Sequence, residues 1–384
     1  MIFVLLTGLA GLSLFIWIYL IFGRGGFWRV WKNLAPDGPA APNALCVAAI
    51  VPARNEADVI AESVASLLNQ DFPSLELVLV DDSSTDGTAG VAAETAKELG
   101  QSHRLTVLSG KPLVPGWTGK LWALSQGVEH AVRSSPDYLF FTDADIRHSR
   151  DNVRELVNIA EAGRCDLASF MVRLANTSFA EKALIPAFVF FFLQLYPPAW
   201  TASRTRRTAG AAGGCILIRP EALARIGGLL AIRNAIIDDC ALARAVKQSN
   251  GKVWMGLTSQ TCSIRSYGSF GQIGEMISRT AFNQLNHSTL VLIGTVFGLL
   301  VTYIIPPVAV VAGTRSSVIL GALAWILMAS SYWQSVKLYR QSPLWCPALP
   351  LIALFYLAAT INSAVRYWRG SGGKWKGRIQ DVRA

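Results

Sequence analysis

Long uncharged apolar runs lie toward both ends of the chain, with a more polar section between them. Each run has about 18 or more residues, enough for an α-helix to cross a membrane. The first run has no cationic start and no small-residue cleavage site, and Arg24, Arg29 and Lys32 follow it. It therefore predicts a retained anchor rather than a signal peptide. The runs are Met1–Phe22, Thr289–Gly313, Ser316–Val336 and Leu344–Val365.

In the polar section, short apolar runs alternate with stretches of helical periodicity. This alternation predicts βαβ units, and hence an α/β domain with a central, mostly parallel sheet. Ligands of such sheets bind at the carboxyl ends of the strands. The predicted strands are Ala44–Val51, Leu75–Val80, Arg104–Leu108 and Tyr138–Thr142, and the predicted helices are Ala57–Asn69 and Leu121–Val132.

Phe179–Trp200 is a further apolar stretch, interrupted by two charged residues, Glu181 and Lys182, and by three prolines. Charges and prolines are costly inside a membrane-spanning helix. We therefore expect an interfacial or acceptor-facing segment rather than a full span.

The composition supports a membrane protein, because 52% of the 384 residues are hydrophobic and only 16% are charged. The net charge of +10 could indicate nucleic acid, but many of the cations lie beside the apolar runs. A cationic collar against anionic lipid explains them, so no nucleic-acid partner is expected. The six cysteines form no CxxC pair, which indicates reduced thiols and no zinc site.

The positive-inside rule places the polar section in the cytoplasm, since cations follow the first run. Three further spans would leave the basic tail outside, against the same rule. Either one run is re-entrant, or Phe179–Trp200 spans after all, or the rule is violated. Pro306-Pro307 within Thr289–Gly313 favours a broken or re-entrant segment there. The expected organisation is an anchor (1–22), a linker (23–43), a catalytic domain (44–287), a membrane region with about three hydrophobic segments (288–366) and a basic tail (367–384).

Polar residues follow the first predicted strand in Val51-Pro-Ala-Arg-Asn-Glu-Ala. This loop can hold a nucleobase or ribose. An ordinary strand-to-helix turn capped by Asn55 is the alternative. The candidate donor-binding residues of this loop are Pro52, Arg54, Asn55 and Glu56.

Asp81 and Asp82 end the second predicted strand and have no obvious cationic partner. A structural role explains them poorly, whereas Asp86 suits a helix cap. After the strand Tyr138–Thr142, Asp143 and Asp145 lie on one side of an extended segment. Their oxygens can hold Mg²⁺ or Mn²⁺ against a diphosphate, which neutralises a departing nucleotide.

Asp238 and Asp239 precede a helical run, where acids also stabilise a helix dipole. The functional interpretation makes one of them the general base that deprotonates an acceptor hydroxyl. The small residues 209–214 before the strand Cys215–Ile218 permit close approach of backbone and ligand, or tight packing.

Two further cations are candidates for phosphate binding. Lys120 follows Gly116-Trp-Thr-Gly at a helix start, which favours anions. Arg279, like Arg265 and Tyr267, lies in an amphipathic stretch before the second long run. These cations either grip a diphosphate or contact lipid headgroups.

In this order, VPARNE, VDDSSTDGT, GWTGK, DAD and the later acidic pair resemble the family 2 glycosyltransferases over roughly Ala44–Gln284. GWTGKLWAL, FTDADIRH, IIDDCALA and RTAFNQL look most like the hopene-associated glycosyltransferases of bacterial hopanoid clusters. Carotenoid and ceramide glycosyltransferases are the neighbouring possibilities.

The resemblance implies a GT-A fold, a UDP-sugar donor, a divalent cation and direct inverting displacement. By the family pattern Asp81 and Asp82 contact the nucleobase, Asp143 the ribose and phosphate side, and Asp145 the metal, with Asp239 as base. It further implies a lipid acceptor, such as a hopanoid or other polyisoprenoid, and a bacterial inner membrane location with a cytoplasmic catalytic domain.

Two positions depart from the family pattern. Asp238-Asp239 stands where many members have Glu-Asp, which keeps the proposed base. Ser278-Arg-Thr-Ala-Phe282 replaces the QxxRW motif of processive members, so non-processive transfer is expected. A nucleotidyltransferase-like enzyme of the same fold, a transporter and an inactive lipid-binding relative are the alternatives. A nucleotidyltransferase would have a basic glycine-rich loop after its first strand, which this chain lacks. A transporter would have acids within its membrane runs, and the later runs of this chain contain none.

Overall fold

The computed structural model describes residues 1–29, 42, 44–375 and 378–379. Most of the expected linker 23–43 and the end of the expected tail 367–384 lie outside the described residues. The six cysteines are all free thiols.

The catalytic section forms one mixed sheet of eight strands in the order β3-β2-β1-β4-β7-β6-β8-β5. The first four strands are parallel, and β6 is parallel to β8, whereas β7 is antiparallel to both neighbours and β5 to β8. The strands are β1 Val47–Ala53, β2 Leu75–Asp81, β3 Leu105–Ser109, β4 Tyr138–Phe141, β5 Ile146–Arg147, β6 Leu167–Arg173, β7 Ile216–Ile218 and β8 Val253–Ser263, with a separate hairpin of β9 Lys374–Trp375 and β10 Arg378–Ile379.

Helices cover both faces of the sheet and form the membrane region. Residues Tyr19–Gly23 and Leu300–Ile304 are π-helical. The α-helices are α1 Ile2–Ile18, α2 Ile60–Leu68, α3 Thr88–Glu98, α4 Gly119–Ala131, α5 Asn152–Gly163, α6 Phe179–Leu195, α7 Pro198–Ala202, α8 Pro220–Arg225, α9 Asp238–Gln248, α10 Phe270–Gln284, α11 Thr289–Leu299, α12 Ile305–Ala312, α13 Arg315–Leu338 and α14 Leu349–Trp368.

Strand β1 lies at the centre of the fold, and all seven of its residues are buried. Its alternate side chains enter two cores. Val47 and Val51 pack in the core that contains α2 and α5, and Ala48 and Ile50 pack in the core that contains α4 and α9. A parallel strand covered on both faces reads as a continuous apolar run, which is why the sequence pattern identifies it.

Five helical segments are long and apolar enough to cross a membrane. The segment 289–312 is one continuous helix, with Pro306 and Pro307 in the first turn of α12. No break is seen at these prolines, because the chain is helical on both sides of them and only changes from π-helical to α-helical just before them. The re-entrant path stays a prediction. The segments are Ile2–Gly23, Phe179–Ala202, Thr289–Ala312, Arg315–Leu338 and Leu349–Trp368.

The sheet limits the path that the segment Phe179–Ala202 can take. Strand β6 ends just before α6, β7 follows α7, and these two strands pair with each other in the catalytic sheet. The segment between them must therefore begin and end on the same side of a membrane. The interfacial position of this segment, which is also long and apolar enough to span, stays a prediction.

Helix α14 touches the catalytic domain at both ends. The ring of Trp345, just before α14, contacts that of Phe179, and Arg366 near its end pairs with Glu275 of α10 at 3.5 Å. Between these points α14 runs parallel to α10, and the Ser278 hydroxyl donates to the Ala359 carbonyl at 2.9 Å. Helix α14 therefore lies along the domain rather than projecting away from it.

Candidate active site

The carboxyl ends of the central strands open into a cleft of about 810 Å³. One wall comes from the sheet and the start of α4, and the other comes from α10 and the end of α14. Of the residues predicted from the sequence, the cleft is lined by Pro52, Glu56, Lys120, Asp143, Asp145, Asp238 and Arg279.

Asp143 and Asp145 follow β4 and enter the cleft from its floor. Asp143 pairs with Lys120 at 2.8 Å, and Asp145 accepts a hydrogen bond from Arg265 Nε at 2.9 Å. Burial raises the pKa of Asp145, as does the neighbouring Asp143 carboxylate, and Arg265 opposes the shift. The two carboxylates are thus close enough to interact, as the alternation of the chain predicts.

Lys120 bridges two of the predicted acids. Thr118 caps α4 by accepting from Leu121 N, and this start of the helix carries Lys120 into the cleft. Its Nζ lies 2.8 Å from Asp143 and 3.0 Å from Asp238. Burial alone would lower the pKa of Lys120, but these carboxylates outweigh it and raise the pKa. Lys120 therefore carries a full charge that holds the two acids together.

Asp239 lies beneath the cleft, in a small cavity that it shares with Lys120 and Asp238. Its carboxylate accepts from Gly213 N at 2.9 Å and from Cys240 N at 2.7 Å. Burial and the Asp238 carboxylate raise the pKa of Asp239 to about 6. A carboxylate with a pKa in this range suits proton abstraction near neutral pH.

The small-residue stretch before β7 makes this arrangement possible. A Cβ atom at Gly213 would lie 3.1 Å from Lys120 Nζ and 3.5 Å from Asp239 Oδ2. A larger residue would therefore require the lysine amino group to move by a few tenths of an ångström, whereas glycine lets the backbone N–H approach the carboxylate without this shift. The small residues 209–214 are compatible with close approach of the backbone to a functional group or with tight packing. At Gly213 the backbone closely approaches the Asp239 carboxylate.

Arg265 is a central residue of the site. It follows β8 and pairs with both Asp145 and Glu56. Burial would lower the pKa of Arg265, but these two acids raise it. Its side chain joins the loop after β1 to the segment after β4. The sequence could only place Arg265 among several cations of an amphipathic stretch.

The remaining predicted residues stabilise the loops beside the cleft and do not line it. Arg54 donates to the Asp82 carbonyl and lies 3.7 Å from its carboxylate. Asn55 Oδ1 accepts from Thr85 N at 2.8 Å, so it joins two loops instead of capping α2. Asp81 accepts from Ser84 N at 3.2 Å within its own turn.

A buried polar network, which no motif of the sequence indicates, supports the floor of the cleft. Thr142 Oγ1 lies 2.9 Å from His148 Nε2 and donates to the Gly214 carbonyl at 2.8 Å. Asn152 Nδ2 lies 3.1 Å from His148 Nδ1. Burial lowers the pKa of His148 to about 3, so the ring is neutral and serves as a fixed hydrogen-bonding group. The network fixes the residue that precedes Asp143.

Arg279 and Arg366 line the wall of the cleft that α10 and α14 form. Arg366 was predicted only as a basic residue at the end of the last apolar run. No motif connects it to the carboxylates, because it reaches the cleft only through the packing of α14 against α10.

Asp143 and Asp145 are suitable ligands for Mg²⁺ or Mn²⁺. Hard carboxylate oxygens are the ligands these ions prefer, and the ions keep positions open for phosphate oxygens and water. Among the described residues, no three His, Cys, Asp or Glu side chains form a metal-binding group. The protein would thus supply two carboxylates, and a bound diphosphate would supply further oxygens.

The fold and the cleft define an α/β domain of the GT-A type, with apolar helices toward both ends of the chain. Residues 48–227 match the family description "Glycosyl transferase family 2". This part of the chain, just under half of its length, is similar to that family.

Two known proteins are similar to the chain, one in structure and one in sequence. A mannosyltransferase from Pyrobaculum calidifontis, solved with GDP-Man and Mn²⁺, superposes with a TM-score of 0.55 at 18% identity, over 93% of this chain and 98% of that one. The 4,4'-diaponeurosporenoate glycosyltransferase of Staphylococcus aureus is 36% identical over 111 residues. That match covers 28% of this chain and 26% of the relative, so the chain spans about a quarter of its length.

Proposed function

We propose that the protein is a membrane-bound, non-processive, inverting glycosyltransferase that moves a sugar from a nucleotide diphosphate to the hydroxyl of a lipid. One observation carries the proposal. The acids of a family 2 domain and the membrane-side helices α10 and α14 are opposite walls of one cleft. A donor held at the acids and a lipid arriving along the helices would meet there.

Asp143 and Asp145 are the residues that would hold a divalent cation. When bound, that ion neutralises the charge of the departing nucleotide diphosphate. Lys120 and Arg265, which pair with these acids, are then within reach of phosphate oxygens. We propose a UDP-sugar as donor. The Pyrobaculum mannosyltransferase was solved with GDP-Man, so a donor series must include both nucleotides.

Asp239 is proposed as the general base. It would accept the proton of the acceptor hydroxyl as that oxygen forms a bond to the anomeric carbon. The bond from the anomeric carbon to the diphosphate oxygen breaks in the same step, and the electron pair leaves with the nucleotide. Attack opposite to the leaving group inverts the anomeric configuration.

The acceptor is proposed to be an apolar lipid with a hydroxyl group, such as a hopanoid or another polyisoprenoid. The name of the Staphylococcus relative, 4,4'-diaponeurosporenoate glycosyltransferase, supports a lipid-like acceptor. Met276 and Arg279 offer an apolar and a cationic contact on the membrane side of the cleft. A bacterial inner membrane location, with the domain cytoplasmic, belongs to the same proposal.

The test is transfer by the purified full chain in detergent, with UDP- and GDP-sugars, a bacterial lipid extract, and Mn²⁺ or a chelator. Asp239→Asn and Asp238→Asn form a matched pair, since both remove one charge from the same helix start. We expect metal-dependent labelling of a lipid that is lost in Asp239→Asn and partly retained in Asp238→Asn.

Different failures have different meanings. Loss in Asp238→Asn with activity retained in Asp239→Asn would make Asp238 the base. Transfer to soluble acceptors alone would exclude the lipid acceptor. Absence of turnover with every donor would contradict glycosyl transfer and favour an inactive lipid-binding relative.

A further inference from the structure

A second pocket lies beside the catalytic cleft and plays no part in the proposed reaction. Its volume is about 410 Å³, and it borders the cleft at Ser266. Its walls come from the edge of the sheet at β5 and β8, the chain after β6, and the residues that follow α13. We call it the arginine pocket, after Arg147 and Arg173, which line it.

The two arginines lie beside the same residue at the edge of the sheet. Cys262 of β8 is the register partner of Arg147 on β5 and, across an irregularity of the ladder, of Arg173 on β6. Both arginine side chains line the pocket. Arg147 pairs with Glu62 at 3.0 Å and donates to Cys262 Sγ at 3.3 Å. The side chain of Arg173 has no hydrogen bond or ion pair among the residues that the structure describes.

The pocket therefore has an excess of positive charge, with two arginines against one glutamate. An arginine that lacks a carboxylate partner is a ready donor for phosphate, which its planar guanidinium binds with two parallel hydrogen bonds.

The pocket also lies at the end of a membrane helix. Tyr339 and Gln341, which line it, immediately follow α13. Tyr339 is held to the catalytic domain, because its hydroxyl accepts from Leu174 N at 3.2 Å. If α13 crosses the membrane, this end of the helix is level with the lipid headgroups. A phosphate at this depth belongs to a phospholipid.

Asn176 adds a second requirement for the ligand. Its Nδ2 donates to the Tyr339 carbonyl at 3.3 Å, which fixes the orientation of the amide. Its Oδ1 is buried and has no hydrogen-bond partner in the described structure. A buried acceptor without a partner costs free energy, so a donor from the ligand would be favourable there. A headgroup hydroxyl supplies such a donor.

We propose that the arginine pocket binds the headgroup of an anionic phospholipid, with the phosphate at Arg147 and Arg173 and a headgroup hydroxyl donating to Asn176 Oδ1. The bound lipid would fasten the end of α13 to the sheet edge. It would also contact the segment 263–266, whose Arg265 holds Asp145 and Glu56.

The test counts lipids that remain bound to the full chain when it is released from nanodiscs and weighed by native mass spectrometry. The nanodiscs contain phosphatidylcholine with phosphatidylglycerol, or phosphatidylcholine with phosphatidic acid, which lacks the headgroup hydroxyls. Arg173→Gln is the main variant, because its side chain has no partner to lose. Arg133→Gln is the control, since Arg133 is exposed and pairs only with Glu129 at 3.8 Å.

We expect Arg173→Gln to lose one retained phosphatidylglycerol and to bind it about tenfold more weakly, the effect of losing one charged hydrogen bond. Asn176→Val should lose the preference for phosphatidylglycerol over phosphatidic acid and keep the phosphate-dependent binding. Unchanged melting temperatures would show that the variants fold.

Equal lipid retention in Arg173→Gln and Arg133→Gln would overturn the proposal. So would displacement of the lipid by inorganic phosphate at low concentration, because the pocket would then be a site for a soluble anion. Neither readout requires glycosyl transfer, so the failure of the proposed function would leave this test intact.

Discussion

At the scale of single residues, Asp239 combines two opposing influences. Burial and Asp238 disfavour its negative charge, whereas Lys120 and two backbone N–H groups favour it. The balance leaves its pKa at about 6, above that of an ordinary aspartate. Such a carboxylate remains ionised at neutral pH and is still a stronger base than a solvated one.

The first prediction concerns the pH dependence of kcat/KM. The base acts only when it is deprotonated, so activity should be constant above the pKa and fall about tenfold per pH unit below about 6. In Asp238→Asn the neighbouring negative charge is absent, which lowers the pKa of Asp239. The acidic limb of the residual activity should therefore move to lower pH. A limb that does not move would indicate a different titrating group.

The second prediction concerns Gly213→Ala. The new Cβ would displace Lys120 Nζ, because only 3.1 Å separates them, and would crowd Asp239. Since Nζ must move by a few tenths of an ångström, we expect a loss of about tenfold in kcat/KM with little change in melting temperature. Gly90→Ala is the control, since a Cβ at Gly90 meets open space. Equal activity in both variants would contradict the close approach.

The sequence predicts the acids at the strand ends because two features are enough to place them. The apolar periodicity locates the strands, and the parallel arrangement brings the strand ends to one edge of the sheet. The sequence predicted Asp143, Asp145, Asp238 and Lys120 in the cleft, and the structure brings them there. It could not predict that Arg265 would join Asp145 to Glu56. That contact depends on where an irregular segment after β8 passes, and no periodicity encodes this.

At the scale of elements, α4 shows how tightly the helices fit the sheet. Gly127 on α4 faces β1 and β2, where a Cβ would lie 2.4 Å from Ile50 Cγ2 and 3.1 Å from Val80 Cγ2. Only a residue without a side chain allows this approach. The same helix carries Lys120 at its start, so its distance from the sheet also sets the position of the lysine.

The third prediction is that Gly127→Ala destabilises the domain by about 1–3 kcal/mol, the usual cost of overpacking a core. The measurement is the free energy of unfolding of the full chain in detergent. Gly90→Ala, on the solvent side of α3, should be neutral or stabilising, since alanine favours helix. Equal stabilities of the two variants would refute the tight packing.

Helix α6 shows which contacts a local sequence pattern can predict and which it cannot. Ser178 and Glu181 form a capping box, in which each side chain accepts from the backbone of the other residue. The spacing Ser-x-x-Glu is the sequence signature of this motif. In the sequence Glu181 interrupts an apolar run. In the structure it belongs to the first turn of α6 and helps to cap the start of that helix. Its further contacts with Ser266 and Tyr267 are long-range and were not predictable.

At the scale of the whole molecule, hydropathy identifies the apolar segments but does not show which of them cross a membrane. Composition is the same for a helix that crosses lipid and for one that lies along a domain. Contacts at the ends distinguish them: α6 connects two strands of one sheet, and α14 meets the catalytic domain before and after its own length. We therefore predict crossings at α1, the segment 289–312 and α13 alone among the five candidate segments of the described residues.

The fourth prediction follows from this count. The loop at Gly313-Thr314 joins two crossings and should lie on the side of the membrane opposite to the catalytic domain. Residues after α14 should lie on the same side as the domain, because Arg366 and Ser371 line its cleft. Reporter insertions that are active on only one side of a bacterial membrane, placed at Gly313 and after Gly370, should therefore give opposite signals. An insertion between α3 and β3, at Gly100, marks the side of the domain.

The same prediction removes the conflict with the positive-inside rule. If α14 crossed, the tail would share the side of Gly313, and its cations would face away from the domain. With α14 along α10, three crossings leave the cations on the side of the domain, where the rule expects them. Equal signals at Gly313 and after Gly370 would mean that α14 spans the membrane. The membrane-side wall of the cleft would then need a different explanation.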